Sequence, residues 1–170
     1  MNVVGLDLST KRVGFAAADG ELLSIKGHAD ARDPYRRLHE LSREIARAFQ
    51  MRPPKPDLVV VEDYSLGGPG ILSKIRVGEI GGIVRTRLFE LDIAFHLVRP
   101  SSVKMFATGN GNADKPKMIA AAIALGARGN VNDDEADAFH LRRMGLAAHG
   151  QLDRSLLDYE ARALAGSGPW

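Results

Sequence analysis

Acidic residues stand at three places in this 170-residue chain where their type and spacing favour metal chemistry. Asp7 ends one apolar run near the N-terminus, and Glu62 ends a second one. Asp134 and Asp137 lie three residues apart in the stretch NDDEADA, a spacing that places two helical side chains on one face, about 5 to 6 Å apart. Oxygen ligands without a His or Cys cluster suit Mg²⁺ or Mn²⁺ better than zinc. The sequence therefore predicts a magnesium site, with manganese as an alternative ion.

Each of these carboxylates also has a structural explanation. Asp7 can be a turn residue at a strand end, and Asp133 or Asp134 can cap a helix and oppose its dipole. Asp137 is harder to explain in this way, because it lies between two alanines in a core-like stretch where an unpaired carboxylate is costly. Asp133 precedes Asp137 by four residues, so it competes with Asp134 for the role of ligand.

Hydrophobic patterning indicates which elements hold these residues. Continuous or alternating apolar runs predict strands, and apolar residues at helical spacing predict amphipathic helices. Asp19-Gly20 suits a two-residue hairpin turn. The segment 99–102 is expected only to close the last strand. The predicted strands cover 2–8, 13–18, 21–26, 57–62 and 93–98, and the predicted helices cover 34–50, 72–91, 114–125 and 132–148.

This order predicts an α/β fold whose mixed sheet has three antiparallel strands followed by parallel strands, flanked by helices. Sites in open α/β sheets collect outside the carboxyl ends of the strands, so neighbouring parallel strands would bring Asp7 and Glu62 together. We expect one domain over 1–149 and a tail over 150–170 that is partly helical or frayed. Three glycines in the helix at 72–91, Gly78, Gly81 and Gly82, indicate close packing, either on the sheet or across a dimer interface.

Composition excludes several classes of protein. Hydrophobic residues make up 45% and charged residues 26%, as in ordinary globular proteins. No apolar run approaches the roughly 18 to 20 residues that span a bilayer, and the N-terminus lacks the pattern of a signal peptide. The chain has no cysteine and therefore no disulfide framework or thiolate metal site. We expect a cytoplasmic protein without a membrane partner.

Charge patterning points to an anionic partner. The net charge is only +2, but cations bound to a carboxylate cluster would leave the remaining surface distinctly basic. Each basic group fits a solvated helix face equally well, and a phosphate-binding surface needs several on one side. The groups are Lys11-Arg12, Arg36-Arg37, Arg85 with Arg87, Lys115 with Lys117, and Arg142-Arg143.

Four stretches resemble RuvC-type Holliday junction resolvases, which are members of the RNase H-like nuclease superfamily. They are GLDLSTKRVGFA (5–16), VVVED (59–63), VKMFATGNGNADKPKM (103–118) and DDEADAFHLRRMGLA (133–147), in the family's order. The third is the most specific, because core packing does not explain its lysines and its Thr-Gly-Asn-Gly turn. Small and viral genomes often carry compact members of this family, so a phage origin fits.

The resemblance implies a homodimeric, magnesium-dependent endonuclease of DNA recombination and repair, acting on branched DNA in a bacterial or phage-infected cell. It implies hydrolysis with two ions per site, leaving 5′-phosphate and 3′-hydroxyl ends. Lys104 and Lys115 would contact DNA near the cleaved strand, with Lys115 also stabilising charge on the scissile phosphate. Lys117 and Tyr64 are further candidates for DNA contact. The implied metal ligands, which are also catalytic residues, are Asp7, Glu62, Asp134 and Asp137.

The chain departs from the family's pattern at two points. Leu8-Ser9-Thr10 follows Asp7 where the family has Pro-Gly, and Tyr64 is offset from the aromatic residue that wedges into the junction.

Two other enzyme classes also have to be considered. One is a related RNase H-like nuclease that acts on flaps, forks or RNA. The other is an actin-like phosphotransferase, whose first hairpin is similar but whose two domains need a longer chain. A DNA-binding module without catalysis is a third alternative.

Overall fold

The computed structural model describes residues 1–27, 33–64 and 70–170. The sequence at 65–70, SLGGPG, predicts a glycine-rich loop, and its residues 65–69 lie outside the described residues. The strands are β1 (Val3–Asp7), β2 (Arg12–Ala16), β3 (Leu22–Lys26), β4 (Leu58–Glu62) and β5 (Ala94–Val98). The helices are α1 (Pro34–Met51), α2 (Ile71–Glu90), α3 (Pro100–Thr108), α4 (Lys115–Ala124), α5 (Asp133–Ala148) and α6 (Asp158–Ala165).

The strands form one five-stranded sheet in the order β3-β2-β1-β4-β5. β1 pairs antiparallel with β2, and β2 pairs antiparallel with β3, whereas β4 runs parallel to both β1 and β5. The predicted α/β fold class, with three antiparallel strands followed by parallel ones, is confirmed.

Helices cover both faces of the sheet, so alternate residues of β1 and β4 lie in two different hydrophobic cores. Val4 and Leu6 of β1 lie in the core that contains the apolar residues of α1 and α2. Val3 lies in the core on the other face, with apolar residues of α3, α4, α5 and α6. The near-continuous hydrophobic runs of β1 and β4 follow from this burial on both faces.

The prediction that 99–102 only closes a strand is wrong, because the helix α3 begins there. Pro100 occupies the start of the helix, where its missing N–H costs no hydrogen bond. Gly109 ends it with φ 75°, the left-handed conformation that glycine adopts readily. The helix is short, and its buried face of Val103, Phe106 and Ala107 is what holds it on the sheet.

The segment 150–170, expected as a tail, contains one short helix, α6, over Asp158–Ala165. Glu160 is buried and accepts hydrogen bonds from Arg154 Nη1 and Nη2 at 2.7 and 2.5 Å. Trp170 stacks on His96 of β5 with ring centroids 4.0 Å apart. None of the helices in the described ranges is long and apolar enough to cross a membrane.

Candidate active site

Asp7 and Glu62 end neighbouring parallel strands at the same edge of the sheet. Leu6 is the register partner of Val61, so the next residues, Asp7 and Glu62, lie side by side. Alternation along each strand places both on the face that carries Val3 and Val60. The strand register therefore brings these two carboxylates together, as expected. The helix α5 covers the face on which they lie.

Two glycines let α5 lie unusually close to the sheet. A Cβ on Gly5 would stand 2.0 Å from the backbone oxygen of Ala138. A Cβ on Gly14, the register partner of Asp7, would stand 2.0 Å from the backbone oxygen of Asp134. Any larger residue at either position would push the helix away, so these glycines set the distance between the acidic residues of α5 and those of the strands.

The first turn of α5 is fixed by a capping box that also reaches the sheet. Asn132 Oδ1 accepts from the backbone N–H of Glu135 at 3.1 Å, and Glu135 Oε2 accepts from the backbone N–H of Asn132 at 3.1 Å. Ser24 of β3 donates to Glu135 Oε1 at 2.8 Å and accepts from Asn132 Nδ2 at 2.8 Å. Glu135 is therefore engaged in holding the helix start to the sheet.

Two cations pair with the carboxylates that begin α5. Arg12 donates from Nε to Asp134 Oδ2 and from Nη2 to Asp133 Oδ1, the latter at 2.9 Å. Lys115 donates from Nζ to Asp133 Oδ2. This hydrogen bond lowers the pKa of Asp133 and raises that of Lys115. Asp133 thus has two cationic partners, whereas Asp134 has Arg12.

Asp137 lies one turn further along α5 and, unlike Asp133 and Asp134, forms no ion pair among the described residues. Its Oδ1 is buried and has no hydrogen-bond partner among the described residues. Burial raises the pKa of Asp137 to about 6, against the opposing attraction of Lys104 and with added repulsion from Asp133 and Asp134. A buried, unpartnered carboxylate oxygen is costly in a purely structural role.

The pKa values of the two strand-end carboxylates, Asp7 and Glu62, are also shifted by burial and by neighbouring charges. Burial, and then the negative charge of Asp137, raise the pKa of Asp7 well above its usual value. Burial, and then the charge of Asp7, raise the pKa of Glu62, while Lys104 of α3 opposes this shift. These electrostatic effects indicate that Asp7, Glu62 and Asp137 lie in one neighbourhood, with Lys104 close enough to act on Glu62 and Asp137.

The donor set fits a hard divalent cation, although its geometry is not that of a formed cage. Carboxylate oxygens are the ligands that Mg²⁺ prefers, and Asp137 Oδ1 is an oxygen in need of a partner. Among the described residues, however, no three acidic or histidine side chains are gathered closely enough to hold a metal ion. Asp133 and Asp134 point to Arg12 and Lys115 instead.

The residues expected to contact DNA divide into two sets. Lys104 and Lys115 lie at the acidic cluster, on α3 and at the start of α4. Tyr64 lines a cleft of about 170 Å³ together with Asp7 and Glu62, and the Arg85 guanidinium lies 5.8 Å from the centre of its ring. The Nζ of Lys117 instead lies 3.7 Å from Oδ2 of Asp114, the residue that caps α4. It belongs to the start of α4, with no described contact to the acidic residues.

Sequence reasoning missed three contributors to the site. Arg12 was recognised only as part of a basic pair, although it is the residue that binds Asp134. Gly5 and Gly14 carry no chemistry and were not singled out. The available signal was the short interval between Asp7 and Arg12 on one hairpin, which places both at the same end of the sheet.

The order and direction of the strands, with helices on both faces, define an RNase H-like fold. RuvC from T. thermophilus in complex with a Holliday junction substrate superimposes with a TM-score of 0.67 at 19% identity, over 82% of this chain and 89% of that one. A second structure of Thermus thermophilus RuvC gives a TM-score of 0.60 at 22% identity, over 89% and 98% of the two chains.

Sequence comparison points to the same family. The crossover junction endodeoxyribonuclease RuvC of Koribacter versatilis (strain Ellin345) is 24% identical over 135 residues, which cover 74% of this chain and 78% of that protein. No family model matches the chain. Sequence and fold together show distant homology to RuvC-type Holliday junction resolvases.

Proposed function

We propose that this chain is a metal-dependent, structure-specific DNA endonuclease that resolves four-way junctions by paired, symmetric nicks. The observation that carries the proposal is the meeting of Asp7 and Glu62 with Asp137 at one sheet edge, in a chain homologous to RuvC. The homology supports a RuvC-like nuclease, and the junction as substrate is part of the proposal.

The proposed ligands are Asp7, Glu62, Asp134 and Asp137. Two bound Mg²⁺ or Mn²⁺ ions would supply an activated water and relieve the charge on the leaving oxygen. Asp7 has the central place, between Glu62 on the neighbouring strand and Asp137 on α5. Asp134 would complete the set, because Asp133 is held by both Arg12 and Lys115.

The cations around the cluster have separate proposed roles. Lys104 acts electrostatically on Glu62 and Asp137, and there it would hold the phosphate backbone beside the acidic residues. Lys115 begins α4, so its ammonium and the positive end of the helix would both face the scissile phosphate. Tyr64 lines a cleft with Asp7 and Glu62 and would stack there on an unpaired base.

We also propose that the active form is a homodimer that uses one face of α2. Ile71 and Ile75 are 73% and 52% exposed on this face. Gly78 and Gly82 continue it, and no described atom lies within 4 Å of a Cβ built on either glycine. Packing on the sheet therefore does not explain these two glycines. A second copy would bury the apolar residues and would place two sites on a symmetric junction.

The function is tested by incubating the protein with Mg²⁺ and a synthetic four-way junction, a flap, a fork, a linear duplex and an RNA–DNA hybrid. We expect symmetrical nicks on the junction alone. Asp7→Asn and Asp137→Asn should each lower the cleavage rate at least about 100-fold while junction binding persists. Asp153→Asn, an exposed aspartate outside the site, is the matched control.

Other results have definite meanings. Cutting of flaps, forks or hybrids with no junction cleavage would identify a related nuclease and reject the resolvase. ATP-dependent phosphorylation of a sugar without nicking would reject the whole proposal. A normal cleavage rate for Asp137→Asn would remove that residue from the ligand set.

A further inference from the structure

Arg12 occupies carboxylates that the proposed metal site needs. We infer that Arg12 is an internal competitor for the metal: its guanidinium holds Asp134, and the site binds cations at full strength only after the guanidinium has left. The inference rests on the proposed metal-dependent function and goes beyond it, because it assigns a role in metal affinity to a residue outside the ligand set.

The hairpin places Arg12 rigidly for this role. Arg12 starts β2, and its backbone is fixed by Ser9, whose Oγ accepts from the N–H of Arg12 at 3.1 Å and donates to its carbonyl oxygen. Ser9 is part of the Leu8-Ser9-Thr10 segment that departs from the family's pattern. The turn after Asp7 therefore presents the guanidinium to the start of α5.

The pairing distinguishes between the two neighbouring aspartates. Arg12 contacts both, but Lys115 contacts only Asp133. When the guanidinium leaves, Asp134 loses its ion-pair partner while Asp133 keeps Lys115. The side chain of Arg12 is 33% exposed, so water can solvate the released guanidinium. Departure of Arg12 thus frees one carboxylate, and that one is Asp134.

The ion pair with Arg12 lowers metal affinity wherever Asp134 is a ligand. The side chain of Asp134 is directed to Arg12. Before this carboxylate can bind a metal ion, the ion pair must break, so metal affinity is lowered by the strength of the pair itself. If Asp134 is not a ligand, the same ion pair has no such effect on metal affinity.

The test measures Mn²⁺ binding by calorimetry in the absence of DNA. We expect Arg12→Gln to bind Mn²⁺ roughly two- to fivefold more tightly than the wild-type chain. Arg52→Gln is the matched control, because Arg52 forms its ion pair with Glu21, away from the acidic cluster, and should leave the affinity unchanged. Thermal unfolding in a chelator verifies that both variants are folded.

A double-mutant cycle distinguishes a direct contact between Arg12 and Asp134 from a long-range effect of the charge of Arg12 on metal binding. In an Asp134→Asn background, Arg12→Gln should no longer tighten binding, because the carboxylate that it releases is gone. Equal tightening in both backgrounds would overturn the inference, since Arg12 would then act by charge alone. Unchanged or weaker binding by Arg12→Gln would also overturn it.

The two proposals fail in different ways. If wild-type Mn²⁺ binding is abolished by Asp7→Asn but Arg12→Gln does not tighten it, only the role of Arg12 is rejected. If neither the wild-type chain nor Arg12→Gln shows binding that depends on Asp7, the metal site itself is rejected and the competition falls with it.

Discussion

Asp137 combines burial, repulsion by neighbouring carboxylates and an unpartnered oxygen, and these features have a measurable effect on folding. Its pKa is about 6 in the folded chain, against 3.8 for an ordinary aspartate. The folded state therefore binds the proton more tightly than the unfolded state does. The contribution of Asp137 to stability is most favourable where both states are protonated, and it falls as pH rises from about 4 through about 6.

Asp137→Asn should remove this penalty in the metal-free protein. We expect its free energy of unfolding at neutral pH to exceed that of the wild-type chain by about 1 to 3 kcal/mol. The difference should disappear below the ordinary aspartate pKa of 3.8. Urea unfolding across this pH range in a chelator measures it. A variant less stable than wild type at neutral pH would contradict the interpretation, and Asp153→Asn should match the wild-type curve.

At the residue scale, the sequence predicted that Asp7 and Glu62 end neighbouring parallel strands, because an acidic residue that ends a buried run is recognisable without a structure. Their role as metal ligands stays a prediction. The choice between Asp133 and Asp134 was not predictable. It depends on Arg12 and Lys115, which come from two other elements and meet these aspartates only in the folded chain.

The contact between α5 and the sheet is the element-scale feature on which the acidic cluster depends. Gly14→Ala would place a Cβ against the backbone oxygen of Asp134, and backbone cannot move aside as a side chain can. We expect a loss of at least about 2 kcal/mol in unfolding free energy and a large loss of Mg²⁺-dependent cleavage. Chemical denaturation and the junction assay measure the two effects.

Gly145→Ala provides the graded control for this prediction. Its Cβ would meet side-chain atoms of Val3 and Val60 at 2.7 and 2.8 Å, and these can shift. It should therefore cost less than Gly14→Ala, and Val60→Ala in the same chain should recover part of the loss. Wild-type stability for Gly14→Ala would show that α5 does not need this close approach.

Element prediction succeeded where periodicity was strong and failed where it was short. The helices α1, α4 and α5 and the strands were predicted within a few residues, because each has a continuous pattern or a clear cap. The short helix α3 was missed, since nine residues give few repeats of a helical period. The close approach of α5 also lay beyond the sequence, because a glycine in a strand does not reveal what it faces.

At the scale of the whole molecule, the exposed apolar face of α2 predicts the oligomeric state. Ile75→Glu should convert a dimer to a monomer, because a carboxylate buried between two copies is costly. Sedimentation velocity measures the change. Ile123→Glu on α4 is the matched control, since Ile123 is 53% exposed against 52% for Ile75. A wild-type chain that sediments as a monomer at high concentration would contradict the proposal, as would a dimeric Ile75→Glu variant.

The position of α5 in the chain also determines when the acidic cluster first exists. A ribosome makes all five strands before it makes α5, so the nascent chain has Asp7 and Glu62 but no Asp137 to join them. Until α5 is made, the face of β1 and β4 that it covers remains open, and transiently exposed apolar surface of this kind is prone to aggregation. On the proposed function, a nascent chain without α5 would not cut DNA, because it lacks the Asp137 that joins Asp7 and Glu62.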